Sequence, residues 1–93
     1  MAKLTGGQAL VKQMHREGIR VIFGMPGIQM YEAMDAIHNE PDIRFITVRH
    51  EQAAGYMAYG YSRASGKTGV ALVVAGPGLQ NVSAAIGTAY SAS

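Results

Sequence analysis

The chain reads as an open α/β layer structure built on a parallel sheet, and three observations predict it. Helix-like and strand-like patterns alternate along all 93 residues. The first and last strand segments are short apolar runs without alternation, the pattern of strands covered on both faces. Each strand segment also leads straight into a turn carrying glycine, proline or charge. Such alternation implies right-handed crossovers, and sheets of this kind bind ligands outside the carboxyl ends of their strands.

Thr5 followed three residues later by Gln8 is a capping-box pattern, after which Leu10, Val11 and Met14 share one helical face. A first helix is expected over residues 6–17, stopped by Gly18. Ile19, Val21, Ile22 and Phe23 then form a short buried strand that ends at Gly24. Residues 28–38 put Met30, Met34 and Ile37 on one side of a second helix, closed by Asn39 and Pro41. A second strand over residues 43–48 runs into Arg49-His50-Glu51. Across residues 51–65, Ala54, Met57, Ala58 and Tyr61 recur at helical spacing, with Gly66 in the helix-ending position. The small residues let this third helix pack closely. Residues 70–74 predict a central parallel strand, Gly76-Pro77-Gly78 turns the chain, and a last helix over residues 79–91 points Val82, Ile86 and Ala89 inward.

A hydrophobic content of 48% supports one domain over residues 1–93, with a core but few contacts to spare. Eight Lys and Arg against six acids give a net charge of +2, without a run of like charge or a basic stripe beside aromatics. That distribution argues against a nucleic-acid partner. The absence of cysteine excludes disulfides and thiolate metal sites and fits a reducing compartment. Met1-Ala2-Lys3-Leu4-Thr5 lacks the apolar core of a signal peptide, and the longest apolar stretch, residues 70–75, falls far short of the roughly 18 residues of a membrane span. A cytoplasmic protein without a membrane partner is the expectation.

Several familiar motifs fail on inspection. His50-Glu51 would need a second histidine three residues after the glutamate to bind zinc on a helix, and Ala54 stands there. His15 and His38 lie on helix surfaces with no partner at ligand spacing, so no metal site is expected within the chain. Gly66-Lys67-Thr68 resembles the end of a phosphate loop, but Tyr61 replaces the required glycine and the loop would close a helix when it should open one. Gly24-Met25-Pro26-Gly27 lacks the third glycine of a dinucleotide fingerprint.

What remains is a rim. Gly24 to Gly27, His50-Glu51 and Gly76 to Gly78 all follow strand ends, and so converge on one edge of the sheet. Glu51 has two readings: an acid favoured at a helix N-terminus by the macrodipole, or a carboxyl poised to share a proton with a ligand nitrogen. Burial would raise its proton affinity and the helix terminus would lower it, a balance that spacing alone leaves open. Either proline-glycine turn alone is explained as a strand-to-helix connection. Two on the same rim as Glu51 point to a crevice where backbone approaches a flat ligand closely. Asn81 reads equally as an ordinary helix residue or as a hydrogen-bonder to that ligand.

The arrangement Phe23-Gly24-Met25-Pro26-Gly27, then Arg49-His50-Glu51-Gln52-Ala53-Ala54, then Gly76-Pro77-Gly78 with Asn81 resembles the thiamine-diphosphate enzymes of the acetolactate synthase, pyruvate oxidase and benzoylformate decarboxylase group. The likeness runs through essentially the whole chain and corresponds to the first part of their pyrimidine-binding domain, with flavodoxin-like layers. It implies a partial open parallel sheet with helices on both faces, truncated relative to the complete domain. It also implies that Glu51 hydrogen-bonds N1′ of the cofactor's aminopyrimidine and favours the imino tautomer. The ring's own nitrogen then removes the thiazolium proton, and the carbanion attacks a 2-oxo acid, releases carbon dioxide and passes the enamine on. By the same resemblance Pro26 and Gly27 border the pyrimidine, and Pro77, Gly78 and Asn81 shape the pocket.

Other implications concern what lies outside these residues. Magnesium would be held by a second domain with a Gly-Asp-Gly motif, which this chain does not contain. FAD occurs in some members, and a homo-dimer or tetramer is the expected active unit. The expected function is thus a fragment of a decarboxylating, carboligating enzyme, inactive by itself. The alternatives are a non-catalytic nucleotide- or phosphate-binding module and a half-domain that depends on a partner. An uncovered sheet edge predicts self-association in any of these cases.

Overall fold

In a computed structural model, which describes residues 3–92, β1 (Val21–Gly24) lies between β2 (Arg44–Thr47) and β3 (Ala71–Leu72). Both pairings are parallel. Val21 sits opposite Arg44 and Gly24 opposite Thr47 on one side, while Phe23 and Gly24 face Ala71 and Leu72 on the other. Four helices accompany the sheet: α1 (Gly6–Arg16), α2 (Tyr31–His38), α3 (Glu51–Ser65) and α4 (Pro77–Ala92). The order is that of an α/β chain with a three-stranded open parallel sheet, as the sequence predicts.

Local chemistry sets the helix ends. Thr5 Oγ1 accepts from the Gln8 N–H at 3.1 Å and Gln8 Oε1 accepts from the Thr5 N–H at 3.0 Å, which closes the expected capping box. After α1, Gly18 turns the chain with φ 86°, a conformation that costs glycine little. At the start of α3, His50 Nδ1 accepts from the Gln52 N–H at 3.0 Å, and Gly66 ends the helix with φ 74°.

The core divides at β1, because successive strand side chains point to opposite faces. Ile22, fully buried, joins Val11, Ile19, Ala36, Ile37 and Ile43 beneath α1 and α2. Its burial contributes about 1.5–3 kcal/mol relative to an exposed side chain. Phe23 joins Val48, Ala54 and Ala58 beneath α3, and Tyr61 meets the Phe23 ring edge-on with centroids 6.1 Å apart. Helices therefore cover both faces. The fourth helix lies against α3 at Gly55, where a Cβ would stand 2.5 Å from Ala85 Cβ and 2.7 Å from Val82 Cγ2. Only a residue without a side chain permits that approach.

Four expectations are corrected. The strand at residues 70–74 is neither central nor fully covered: β1 is the central strand, only Ala71–Leu72 pairs, and the whole run is half-buried. An apolar β-branched run records burial tendency, not the order of strands. The second helix begins with a 3₁₀ turn, Ile28–Met30, which leaves Ile28 exposed and buries Met30. On α4, Ile86 is 54% exposed while Ala85 is buried, since the close α3 contact selects the small residue. Leu10 and Met57, placed on inward faces by spacing, are also exposed.

Candidate functional site

The sheet register brings the carboxyl ends of the strands together at Gly24, Thr47 and Leu72. Short hydrogen-bonded links continue from each: the Met25 N–H donates to Leu72 O at 3.2 Å and the Val48 N–H to Gly24 O at 3.0 Å. The turns that follow consequently share one rim.

Glu51 is the first residue of α3 and is 9% exposed, the one buried acid or base among the described residues. Its Oε1 accepts a hydrogen bond from Asn81 Nδ2 at 3.1 Å. The carboxyl is held below its ordinary range, foremost by a backbone N–H at its own helix start and then by the Asn81 amide. Desolvation pulls the other way and is the smaller effect, with His50 adding a weaker push downward. The helix terminus and the amide thus win the contest that spacing left open. The resting group is a carboxylate.

The other oxygen, Oε2, faces Gly78, at 3.6 Å from where a Cβ on that residue would lie. Gly78 is buried, and its missing side chain lets this backbone pack close to Val74 and the carboxylate. Gly27 stands across Val74: a Cβ on Gly27 would collide with Val74 Cγ1, and one on Gly78 would come within 2.9 Å of Val74 Cγ2. Val74 thereby touches both the turn after β1 and the start of α4. Pro26 in that turn and Pro77, the first residue of α4, are exposed.

Of the six residues singled out by sequence, the structure brings Glu51, Gly78 and Asn81 into one cluster and joins Gly27 to it through Val74. Pro26 and Pro77 remain at the periphery. Sequence reasoning missed Val74, which looked like any other residue in an apolar strand, and placed His50 on the rim without foreseeing that its ring caps α3. An extended residue just before a helical pattern was the available signal for His50.

One expectation about metal ligands changes. His15 Nε2 and Asp42 Oδ2 are 2.9 Å apart, and with Glu40 their ligand atoms lie within 4.8 Å of one another. The fold supplies this neighbour from 27 positions away, which no ligand-spacing pattern captures. His15 hydrogen-bonds and pairs with Asp42, holding that carboxyl below its ordinary range, and ties the end of α1 to the turn before β2. Elsewhere, a groove of about 590 Å³ runs along Gly55, Ala58, Leu79, Val82 and Ile86, between α3 and α4. It does not include Glu51. Among the described residues, no helix is long and apolar enough to cross a membrane.

A carboxylate recessed at a glycine-bordered rim of a parallel sheet suits a flat, nitrogen-bearing ring: the acid answers a ring nitrogen and the bare backbone admits the ring's face. This is the class of cofactor-binding α/β domain. The chain belongs to the family of thiamine pyrophosphate enzymes, as their N-terminal TPP-binding domain, whose profile matches residues 4–93. It is 47% identical over 88 residues to the mitochondrial acetolactate synthase catalytic subunit of Saccharomyces cerevisiae, covering 95% of the chain and 13% of that protein. Against the acetolactate synthase large subunit of Haemophilus influenzae it is 46% identical over 91 residues, covering 98% of the chain and 16% of that protein. A probable 2-ketoarginine decarboxylase, AruI of Pseudomonas aeruginosa, is 48% identical over 88 residues, covering 95% and 16%. The chain therefore spans less than a fifth of the length of these relatives.

Proposed function

We propose that these residues form the pyrimidine-facing part of a thiamine-diphosphate-dependent enzyme of the acetolactate synthase type, acting on a 2-oxo acid. The observation that carries the reading is Glu51: a buried carboxylate at the end of β2, with one oxygen tied to Asn81 and the other turned toward Gly78. The residues fit the cofactor's aminopyrimidine, which needs a proton partner at a ring nitrogen and close backbone on its faces. When bound, thiamine diphosphate supplies a carbon nucleophile for the carbonyl of a 2-oxo acid.

In this reading Glu51 Oε2 holds or releases a proton at the pyrimidine N1′. Gly27 and Gly78 admit the ring, Val74 fixes the gap between them, and Pro26 and Pro77 border the opening. Magnesium binding is assigned to residues outside this chain, which has no Gly-Asp-Gly segment. The half-covered β3 edge, with Leu79 and Ile86 exposed beside it, supports self-association as a homo-dimer or tetramer. A cytoplasmic location accords with the absence of cysteine.

The test is Glu51→Gln in the longer protein that carries this segment. Cofactor should still bind, while deuterium exchange at its C2 position largely disappears. Exchange at the unaltered rate would refute the role given to Glu51.

A further inference from the structure

We propose that Asn81 is a positioning residue that acts through Glu51: its amide occupies Oε1 and so leaves Oε2, beside Gly78, as the oxygen that exchanges a proton. The inference rests on the functional reading of Glu51 given above, and it gives Asn81 a role that needs no contact with the cofactor.

Gly78 and Asn81 stand three apart in α4, so they share a face of the helix and confront the same carboxylate. Gly78 brings bare backbone near Oε2 and Asn81 contributes a donor, at 3.1 Å from Oε1. The orientation of the amide follows from chemistry: an ionised carboxylate only accepts, so the nitrogen of Asn81 must face it whichever way the side chain is drawn.

Consequences for the proton follow. The Asn81 N–H₂ donates into Oε1 and offers it no acceptor, which lowers the basicity of that oxygen relative to Oε2. Protonation is therefore directed to Oε2 in every state that keeps the Asn81 bond. Aspartate at position 81 would do the opposite. Two carboxylates at this separation cannot both ionise readily, and the pair would share a proton. His50, which caps the same helix, is the other ionisable group acting on Glu51 and is untouched by changes at Asn81.

The experiment is a pH titration of the Glu51 side-chain carboxyl carbon by ¹³C NMR in the 93-residue chain, compared with Asn81→Ala and Asn81→Asp. The Glu51 midpoint should shift upward in Asn81→Ala, and further upward in two coupled steps in Asn81→Asp. In the unaltered chain, the Asn81 side-chain ¹⁵N resonance should move with the Glu51 midpoint, a readout that holds even where a variant fails to fold. An unchanged Glu51 midpoint in folded Asn81→Ala overturns the proposal, as does an Asn81 amide indifferent to the Glu51 titration. Neither measurement uses the cofactor. Intact coupling here, with C2 exchange unaltered by Glu51→Gln in the longer protein, would instead count against the functional reading alone.

Discussion

Two glycines in α3 ought to respond in opposite directions to the same substitution. A Cβ at Gly55 would stand 2.5 Å from Ala85 Cβ and 2.7 Å from Val82 Cγ2, whereas one at Gly60 meets nothing within 4 Å. Replacing an interior helical glycine by alanine gains about 0.8–1 kcal/mol from reduced backbone freedom in the unfolded chain and better helix propensity. Carbon pairs prefer about 3.5–4.0 Å, so at Gly55 the helices must part by about 1 Å or more, and overpacking of this kind costs about 1–3 kcal/mol. Gly60→Ala should therefore stabilise the chain by nearly 1 kcal/mol, and Gly55→Ala should be neutral to about 2 kcal/mol destabilised. The difference between the two variants cancels the propensity gain and isolates the contact cost. Urea unfolding read by circular dichroism measures it, with the midpoint moving and the slope unchanged. If Gly55→Ala proves as stable as Gly60→Ala, the close crossing of α3 and α4 is wrong.

Further outcomes can be checked on the same chain. The Glu51 carboxyl lies below its ordinary range in the fold, so it stabilises the protein above the unfolded value of 4.5 and that contribution disappears as pH falls through the depressed folded value. Stability measured against pH should thus fall more on acidification for the unaltered chain than for Glu51→Gln; parallel acid limbs would contradict this. Ile22→Ala removes the most deeply buried large side chain and should cost about 2–5 kcal/mol in denaturant unfolding, a large share of the roughly 5–15 kcal/mol typical of a domain. Thr5→Ala opens the capping box and should cost about 1 kcal/mol, seen as faster amide exchange in the first turn of α1.

What sequence made legible was whatever depends on neighbours along the chain. The capping box at Thr5 and Gln8, the helix from Glu51 to its stop at Gly66, and the convergence of three turns on one rim all rest on short-range patterns or on the handedness of crossovers. What it hid depends on partners far away in the chain. The edge position of β3 is a property of the sheet and not of its own residues. Ile86 lost its inward place because Gly55 draws Ala85 into contact, a fact written 30 residues earlier. Asn81 could be suspected as a polar residue near a turn, but its bond to Glu51 required the crossover to be closed. His15 found Asp42 in the same way.

Val74 gives the rim a calliper. One of its γ-methyls rests against Gly27 and the other against Gly78, so a single side chain sets the spacing between the turn after β1 and the start of α4, 51 positions apart in sequence. A larger residue at position 74 would press on Gly27 and on the start of α4 at once. The spacing at this rim is inherited from a residue just beyond β3.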